Sequence, residues 1–201
     1  MQAIHAHLLQ ALARGGRVRR IVYASTTGVY GDAGGARFDE TRPLAPASDR
    51  ARRRVDAEQG LRQFGLAMGV AVTLLRIPGI YAADRPGGHP RDRLARGTPV
   101  LRPEDDVYTN HIHADDLARA CVAALWRGGK QRAINVCDDT ELLMGDYFDL
   151  AADLCGLPRP VRVSRSEAAA LLSPMQLSFW SESRRLRNQR LKQELGLRLR
   201  Y

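Results

Sequence analysis

The chain has 201 residues, 44% of them hydrophobic and 26% charged, a composition that supports one packed domain or a domain and a half and excludes a disordered or fibrous protein. The net charge of +9 comes almost wholly from arginine spread along the sequence, with lysine only at Lys130 and Lys192. No aromatic-and-basic platform or DNA-reading motif accompanies that charge, so nucleic acid is not the expected partner.

In chain order, Ile4, Leu8, Leu9 and Leu12 recur at helical spacing, and "ARGGRVRR" closes that helix with glycines and cations suited to a helix C-terminus. This segment is amphipathic and basic like an organelle presequence, but it lacks serine enrichment and leads straight into a strand, so a cytoplasmic protein is expected. "IVYAS" is a short apolar run of the kind covered on both faces. The polar stretch "TTGVYGDAGGARFDETRPLAPAS" reads as a long functional loop. A charged helix over 49–64 and a second strand, "GVAVTLLRIPGIY", follow. Next comes "YTNHIHADDLARACVAALWRGG", a short extended piece entering a helix at Asp115 and Asp116. "RAINVCDD" reads as a third strand, and "LMGDYFDLAADLCGL" as a helix. The tail carries Met175, Leu177, Phe179 and Trp180 and then an arginine-rich segment that reads as an amphipathic helix. No apolar run approaches the roughly 20 residues that span a bilayer, so no membrane partner is expected. Cys121, Cys137 and Cys155 are odd in number and lack CxxC spacing, which argues against a disulfide framework and a zinc site.

Alternation of helices and strands implies α/β architecture with a parallel sheet. Four patches, taken together, resemble the NAD-dependent epimerase/dehydratase family, the extended short-chain dehydrogenase/reductases. They are "ASTTGVYGD" with "FDETRPLAP", "LLRIPGIYAADR", "NHIHADDLARA" and "INVCDD". The resemblance covers nearly the whole chain and corresponds to the latter part of such proteins. It implies a partial Rossmann-like sheet over residues 1–160, interrupted at about 82–112 by substrate-lobe segments, with a small C-terminal substrate-binding lobe over 161–201. It also implies NAD or NADP as cofactor and a sugar-like or other hydroxylated small molecule as substrate.

Nicotinamide chemistry at a hydroxyl needs a group that takes or gives its proton, in this family a tyrosine helped by a lysine four residues on and by a nearby serine or threonine. The resemblance puts Thr26 at the reacting oxygen, Ser25, Arg54, Ile77 and Pro78 near the cofactor, and Thr27, Gly79 and Arg85 near the substrate. The hydroxyls at 25–27 are equally of the type that satisfy backbone groups at a strand end. With Glu58 as landmark, the tyrosine position holds Arg50 and the lysine position holds Arg54. Arginine is not deprotonated in proteins, so Arg50 is no general acid or base, whereas Arg54 retains donors for a ribose or phosphate oxygen. "RARRR" also has the pattern of a solvated helix face. His111 and His113 would share one face of a strand and could hold a metal with Asp115 or Asp116, but their place before a helix favours aspartate capping, and no metal is expected.

The family's G-x-x-G-x-x-G phosphate loop is not in this sequence. If the chain starts at the helix before the family's fifth strand, three βα units of about 30 residues each precede it in the family pattern, and a fragment is expected. Such a sheet would expose a parallel edge and favour a homodimer. Two functions follow: an enzyme of this family, or a non-catalytic protein that binds a dinucleotide or a partner, since fold alone does not fix activity.

Overall fold

The computed structural model describes residues 3–15, 18–85, 87–173, 177–178 and 180–201, with side chains in the first helix from residue 7 onward. The side chain of Ile4, together with Met175 and Phe179, lies outside the described residues.

Three parallel strands form the central sheet in the order β1–β3–β7: β1 is Arg20–Thr26, β3 is Ala71–Ile77 and β7 is Arg132–Asn135. All seven residues of β3 are buried, because the strand lies between two others and is covered on both faces. Successive side chains point to opposite faces. Val72 and Leu74 join Leu61, Ala133 and Leu9 on the side of α1 (Ala3–Gly15) and α2 (Asp49–Met68). Leu75 and Ile77 join Ala120, Ala124 and Ile134 on the side of α4 (Ala114–Arg127). Register pairs Ser25 with Arg76 and Thr26 with Ile77, which brings the two polar strand ends to one level. Among the described residues β1 is an edge of this sheet.

The strand expected through "RIPGIY" breaks at Pro78, which has no N–H to give a ladder. β4 (Gly79–Tyr81) instead pairs in parallel with β6 (His111–His113). Helix α2 runs four residues past the expected end. Ser48 caps its start, accepting from the Ala51 N–H at 3.2 Å, and the absence of a side chain at Gly65 lets it lie against Val70 and Val72. The loop after β1 is not without structure. It holds a 3-10 turn over Thr27–Tyr30 and the short β2 (Arg37–Phe38).

A second, smaller core joins α3 (Pro90–Ala95), β5 (Val100–Leu101), α5 (Met144–Cys155), β8 (Arg162–Val163) and α6 (Arg165–Leu171) through Leu94, Leu101, Val107, Phe148, Val163 and Trp180. β5 and β8 pair in parallel, so segments far apart in sequence close this lobe. The tail departs from the expected amphipathic helix. Residues Arg185–Leu186 form β9, which pairs with β2, and only Gln189–Gln193 form a helix, α7. Leu191, Leu195 and Leu197 then pack with Leu75 and Ile77, on the central sheet and not in the small lobe.

The expected aspartate cap of α4 is also corrected. Nδ1 of His113 accepts the Asp115 N–H at 3.2 Å and is the cap. Buried Asp116 instead receives Arg119 at 2.6 Å and the backbone N–H groups of Arg200 and Tyr201 at 2.9 and 3.2 Å, which ties the end of the chain to this helix. Among the described residues, no helix is long and apolar enough to cross a membrane. Cys121, Cys137 and Cys155 are free thiols.

Candidate active site

A cavity of about 440 Å³ opens where the carboxyl ends of β1 and β3 meet the small lobe. Its sheet-side wall is Thr26, Thr27, Gly28, Pro78 and Gly79, its helix-side wall is Ser48, Arg50 and Ala51, and the lobe contributes Arg93, Tyr108, His111, Phe148, Trp180 and Arg184 among others. Crevices beyond the carboxyl ends of parallel strands are where open α/β sheets take ligands, and this volume lies in the range of small-molecule pockets.

Thr26 ends β1 and starts the 3-10 turn, and its Oγ1 accepts the Gly28 N–H at 3.3 Å. That contact uses a lone pair and leaves the hydroxyl proton to donate; no acceptor for it occurs among the described residues. Thr27 is buried beside it in the same wall. Ser25 points the other way, into the protein, and donates to Oε1 of Glu58 at 2.6 Å. Glu58 also receives Arg76 Nε at 3.2 Å and a terminal guanidinium nitrogen at 2.8 Å. Arg76 in turn donates to the Tyr30 hydroxyl at 2.9 Å, and Tyr30 donates to Asn135 Oδ1 at 2.7 Å. This buried chain of polar groups links α2 to all three strands just beneath the cavity floor. Burial pushes the Tyr30 phenol up to about 12, despite the opposing pull of Arg76. Tyr30 is therefore neutral and engaged at both of its hydrogen-bonding sides.

The sequence-derived residues divide. Thr26, Thr27, Pro78 and Gly79 line the cavity, and Arg50 lines it as well. Ile77 is packed in the core on the α4 side. Arg54 is outside the cavity, its guanidinium donating to the Tyr23 hydroxyl at 2.8 Å. Arg85 is exposed, with its guanidinium on the Ile80 carbonyl at 3.2 Å, and it does not line the cavity.

The lobe residues Arg93, Tyr108, Trp180 and Arg184 are lining residues that sequence reasoning missed, because nothing local in the sequence marks them and β5–β8 and β2–β9 pairing brings them in. His111 was visible, but as a possible ligand. It stands over Gly79, with its ring stacked on Tyr147 at 4.1 Å between centroids, and burial lowers its pKa to about 4. At neutral pH it is an uncharged imidazole in the cavity wall. Its Nε2 lies 3.3 Å from the Thr109 hydroxyl.

Comparison with known proteins places this geometry in context. Protein YeeZ of Escherichia coli strain K12 is 29% identical over 160 residues, which are 80% of this chain and 54% of that protein, so the chain spans about half the length of this curated relative. A functionally unknown conserved protein of Silicibacter pomeroyi has a solved structure 38% identical to the chain, with a TM-score of 0.86 over 100% of this chain and 68% of the other. The dTDP-glucose 4,6-dehydratase of Bacillus anthracis, solved in complex with NAD, shares the fold with a TM-score of 0.79 at 17% identity, over 98% of this chain and 61% of its own. The family model described as NAD dependent epimerase/dehydratase family matches residues 2–137, and the chain belongs to that family.

Proposed function

We propose that the chain serves an NAD(P)-dependent epimerase, dehydratase or reductase reaction on a sugar-like or other hydroxylated small molecule. The observation that carries this reading is the cavity at the ends of β1 and β3, where a donor hydroxyl at Thr26 faces the Pro78–Gly79 turn across the Thr26–Ile77 register. The cavity has room for a nicotinamide and a small substrate portion, and Thr26, Pro78 and Gly79 would hold that end. No glycine-rich phosphate loop is present in the sequence, so these residues fit the nicotinamide end alone. A bound nicotinamide would supply hydride transfer at a hydroxyl-bearing carbon.

Within that reading the Thr26 hydroxyl donates a hydrogen bond to the substrate oxygen and holds it in place, while Thr27 and Gly79 border the substrate. Ser25 contributes indirectly, through Glu58, by fixing the strand that carries Thr26. Ile77, Arg54 and Arg85 belong to the proposal by resemblance only: Ile77 and Arg54 as contacts of the cofactor, and Arg85 as a contact of the substrate. The NAD complex of the Bacillus anthracis dehydratase supports a nicotinamide cofactor here, NAD or NADP. A cytoplasmic, homodimeric protein is part of the same proposal.

Arg50 in the tyrosine's place favours a second reading, in which the cavity binds a dinucleotide or a partner without turning it over. Calorimetric titration with NAD, NADP and nicotinamide mononucleotide tests the cofactor half. Saturable binding of any one supports it, and no binding of all three removes it. If a ligand binds, a hydroxylated sugar added with the oxidised cofactor should give either reduced nicotinamide absorbance, for a net oxidation, or an epimerised or dehydrated sugar with the cofactor regenerated, and about 100-fold less of that product in Thr26→Val, a loss typical of a removed catalytic donor; absence of both in the parent selects the non-catalytic reading.

A further inference from the structure

The outer face of α4 is apolar where a solvent-facing helix is normally polar. Asp116, Ala120 and Ala124 turn inward and are buried, while Ala118, Val122, Leu125 and Trp126 are exposed, the last three by 57, 50 and 81%. At about 100° per residue these four positions share one arc of about 100°, on the side of the helix away from the central sheet. None of them is charged, in a chain where 26% of residues are and the net charge is +9. Single exposed leucines are ordinary, but a contiguous apolar stripe that includes a tryptophan is the mark of a contact surface.

The two ends of the stripe differ in size and in charge. Ala118 and Trp126 stand four residues to either side of Val122, about 12 Å apart along the helix. Asp115 precedes the stripe, exposed apart from a 3.4 Å contact with the Tyr201 hydroxyl, and exposed Lys130 follows it. Laid parallel against itself, the stripe would set Trp126 on Trp126 and each charge on its like. Turned antiparallel by a two-fold axis at Val122, it sets Trp126 over Ala118 of the second copy and Asp115 towards Lys130 of the second copy. The positive end of one helix dipole then lies beside the negative end of the other. The face is therefore complementary to itself in size, charge and dipole, which is what an isologous contact requires.

We infer that two copies of this chain associate through α4, antiparallel about Val122, with each Trp126 packed on the other copy's Ala118. Val122, Leu125 and Trp126 offer roughly 400 Å² of apolar surface per copy, and with Ala118 and the charged ends the pair reaches the low end of specific interfaces, about 1,000 Å² in total. A dimer of roughly micromolar strength follows. The uncharged stripe also keeps arginine out of the centre of the contact, where two strongly basic chains would otherwise repel. This pairing supplies the homodimer of the proposed function with its surface, rests on that part of the reading alone, and lies on α4 and not on the β1 edge.

Sedimentation velocity of the full chain from about 2 to about 200 μM reads the association directly. The expected result is a concentration-dependent rise from the 22.3 kDa chain mass to twice that value. Trp126→Glu and Val122→Glu, at exposed positions on which the core does not depend, should each weaken dimerisation at least about tenfold. Ala118→Trp alone sets tryptophan against tryptophan and should do the same. Ala118→Trp combined with Trp126→Ala exchanges the two sizes and should recover the parent's association to within about threefold. Leu154→Glu, at an equally exposed apolar position on α5, should associate as the parent does. The pairing is overturned by a parent that stays monomeric throughout, by association that survives either glutamate variant, or by a loss in Leu154→Glu equal to that in Trp126→Glu. A folded exchanged variant that stays monomeric overturns the antiparallel arrangement, and the parent and the glutamate variants decide the contact even if that variant fails to fold. A monomeric parent that binds dinucleotide removes this pairing and keeps the cofactor reading; a dimer on α4 without dinucleotide binding does the reverse.

Discussion

The Ser25 hydroxyl and the Glu58 carboxylate meet at 2.6 Å across 33 residues of sequence, in a place where both side chains are buried. That contact, with Arg76 on the other edge of the same carboxylate, is how α2 holds the end of β1 in register. A hydroxyl one residue before Thr26 therefore builds the floor of the cavity from below, and the hydroxyl of Thr26 itself is left facing out.

Breaking the buried pair should be costly. Glu58→Gln removes the charge that offsets Arg76, whose side chain is 4% exposed, and should destabilise the protein by about 3–5 kcal/mol, because the guanidinium stays buried without a counter-charge. Ser25→Ala removes one hydrogen bond to a carboxylate that retains Arg76, and should cost about 1–2 kcal/mol. Urea denaturation of the three proteins measures both. A smaller loss in Glu58→Gln than in Ser25→Ala would mean that the pair does not anchor the strand.

Much of this site was legible because its sequence signals are local. "IVYAS" and "VAVTLLRI" are runs of β-branched and aliphatic residues long enough to mark buried strands, and the hydroxyl cluster sits at the end of one of them. Ser48 before a charged run similarly marks the start of α2. The opposite wall was illegible for the converse reason. β2, β5, β8 and β9 are two residues each, too short for any periodicity, and their parallel pairing partners lie 60 or more residues away. Arg93 and Trp180 enter the cavity only when those segments pair and α3 packs on α5 in the lobe's core. The tail misled because "RRLRNQRLKQELGLRLR" has helical composition, while the energy is gained by Leu191, Leu195 and Leu197 reaching the sheet.

His111 makes stability depend on pH. Its folded pKa of about 4 lies below the unfolded value near 6.5, so above pH 6.5 the imidazole is neutral in both states. As pH falls from 6.5 towards 4 the unfolded chain binds the proton first, and folding loses up to about 3 kcal/mol; below 4 the loss levels off. His111→Phe keeps a ring against Tyr147 and should flatten this part of the curve. Denaturation midpoints of both proteins between pH 7 and pH 4 check it, and parallel curves would assign the pH dependence to other groups.

Gly31 and Gly34 are alike in having a positive φ and should differ sharply on substitution. Both have positive φ, 65° and 56°. A methyl group on Gly31 would overlap the Ala45 carbonyl oxygen, whereas one on Gly34 meets nothing within 4 Å. Gly34→Ala should cost about 1–2 kcal/mol, the left-handed penalty alone. Gly31→Ala adds a backbone clash and should cost at least about 3 kcal/mol. It would also disturb the Gly31 carbonyl that accepts Arg184 at 2.8 Å, so the cavity wall should change with it. Equal losses in thermal unfolding would mean that the Ala45 segment yields without cost.

The tail should prove integral to the central sheet. Leu191 is fully buried with Leu75, Ile77 and Ile134, so Leu191→Ala removes apolar contact and leaves a void, for about 2–5 kcal/mol. Leu154→Ala is the control. That side chain is 80% exposed at the end of α5, and its loss should stay within about 0.5 kcal/mol. The consequence extends to the end of β7, because the segment between β9 and Leu191 carries Asn188, whose amide donates to the Cys137 and Asp138 carbonyls at 2.9 and 3.2 Å beyond that strand. A destabilised Leu191→Ala should therefore expose the buried Cys137 to thiol reagents sooner than the parent does. If Cys137 labelling is unchanged while stability falls, the tail packs on the sheet without holding the strand end behind it.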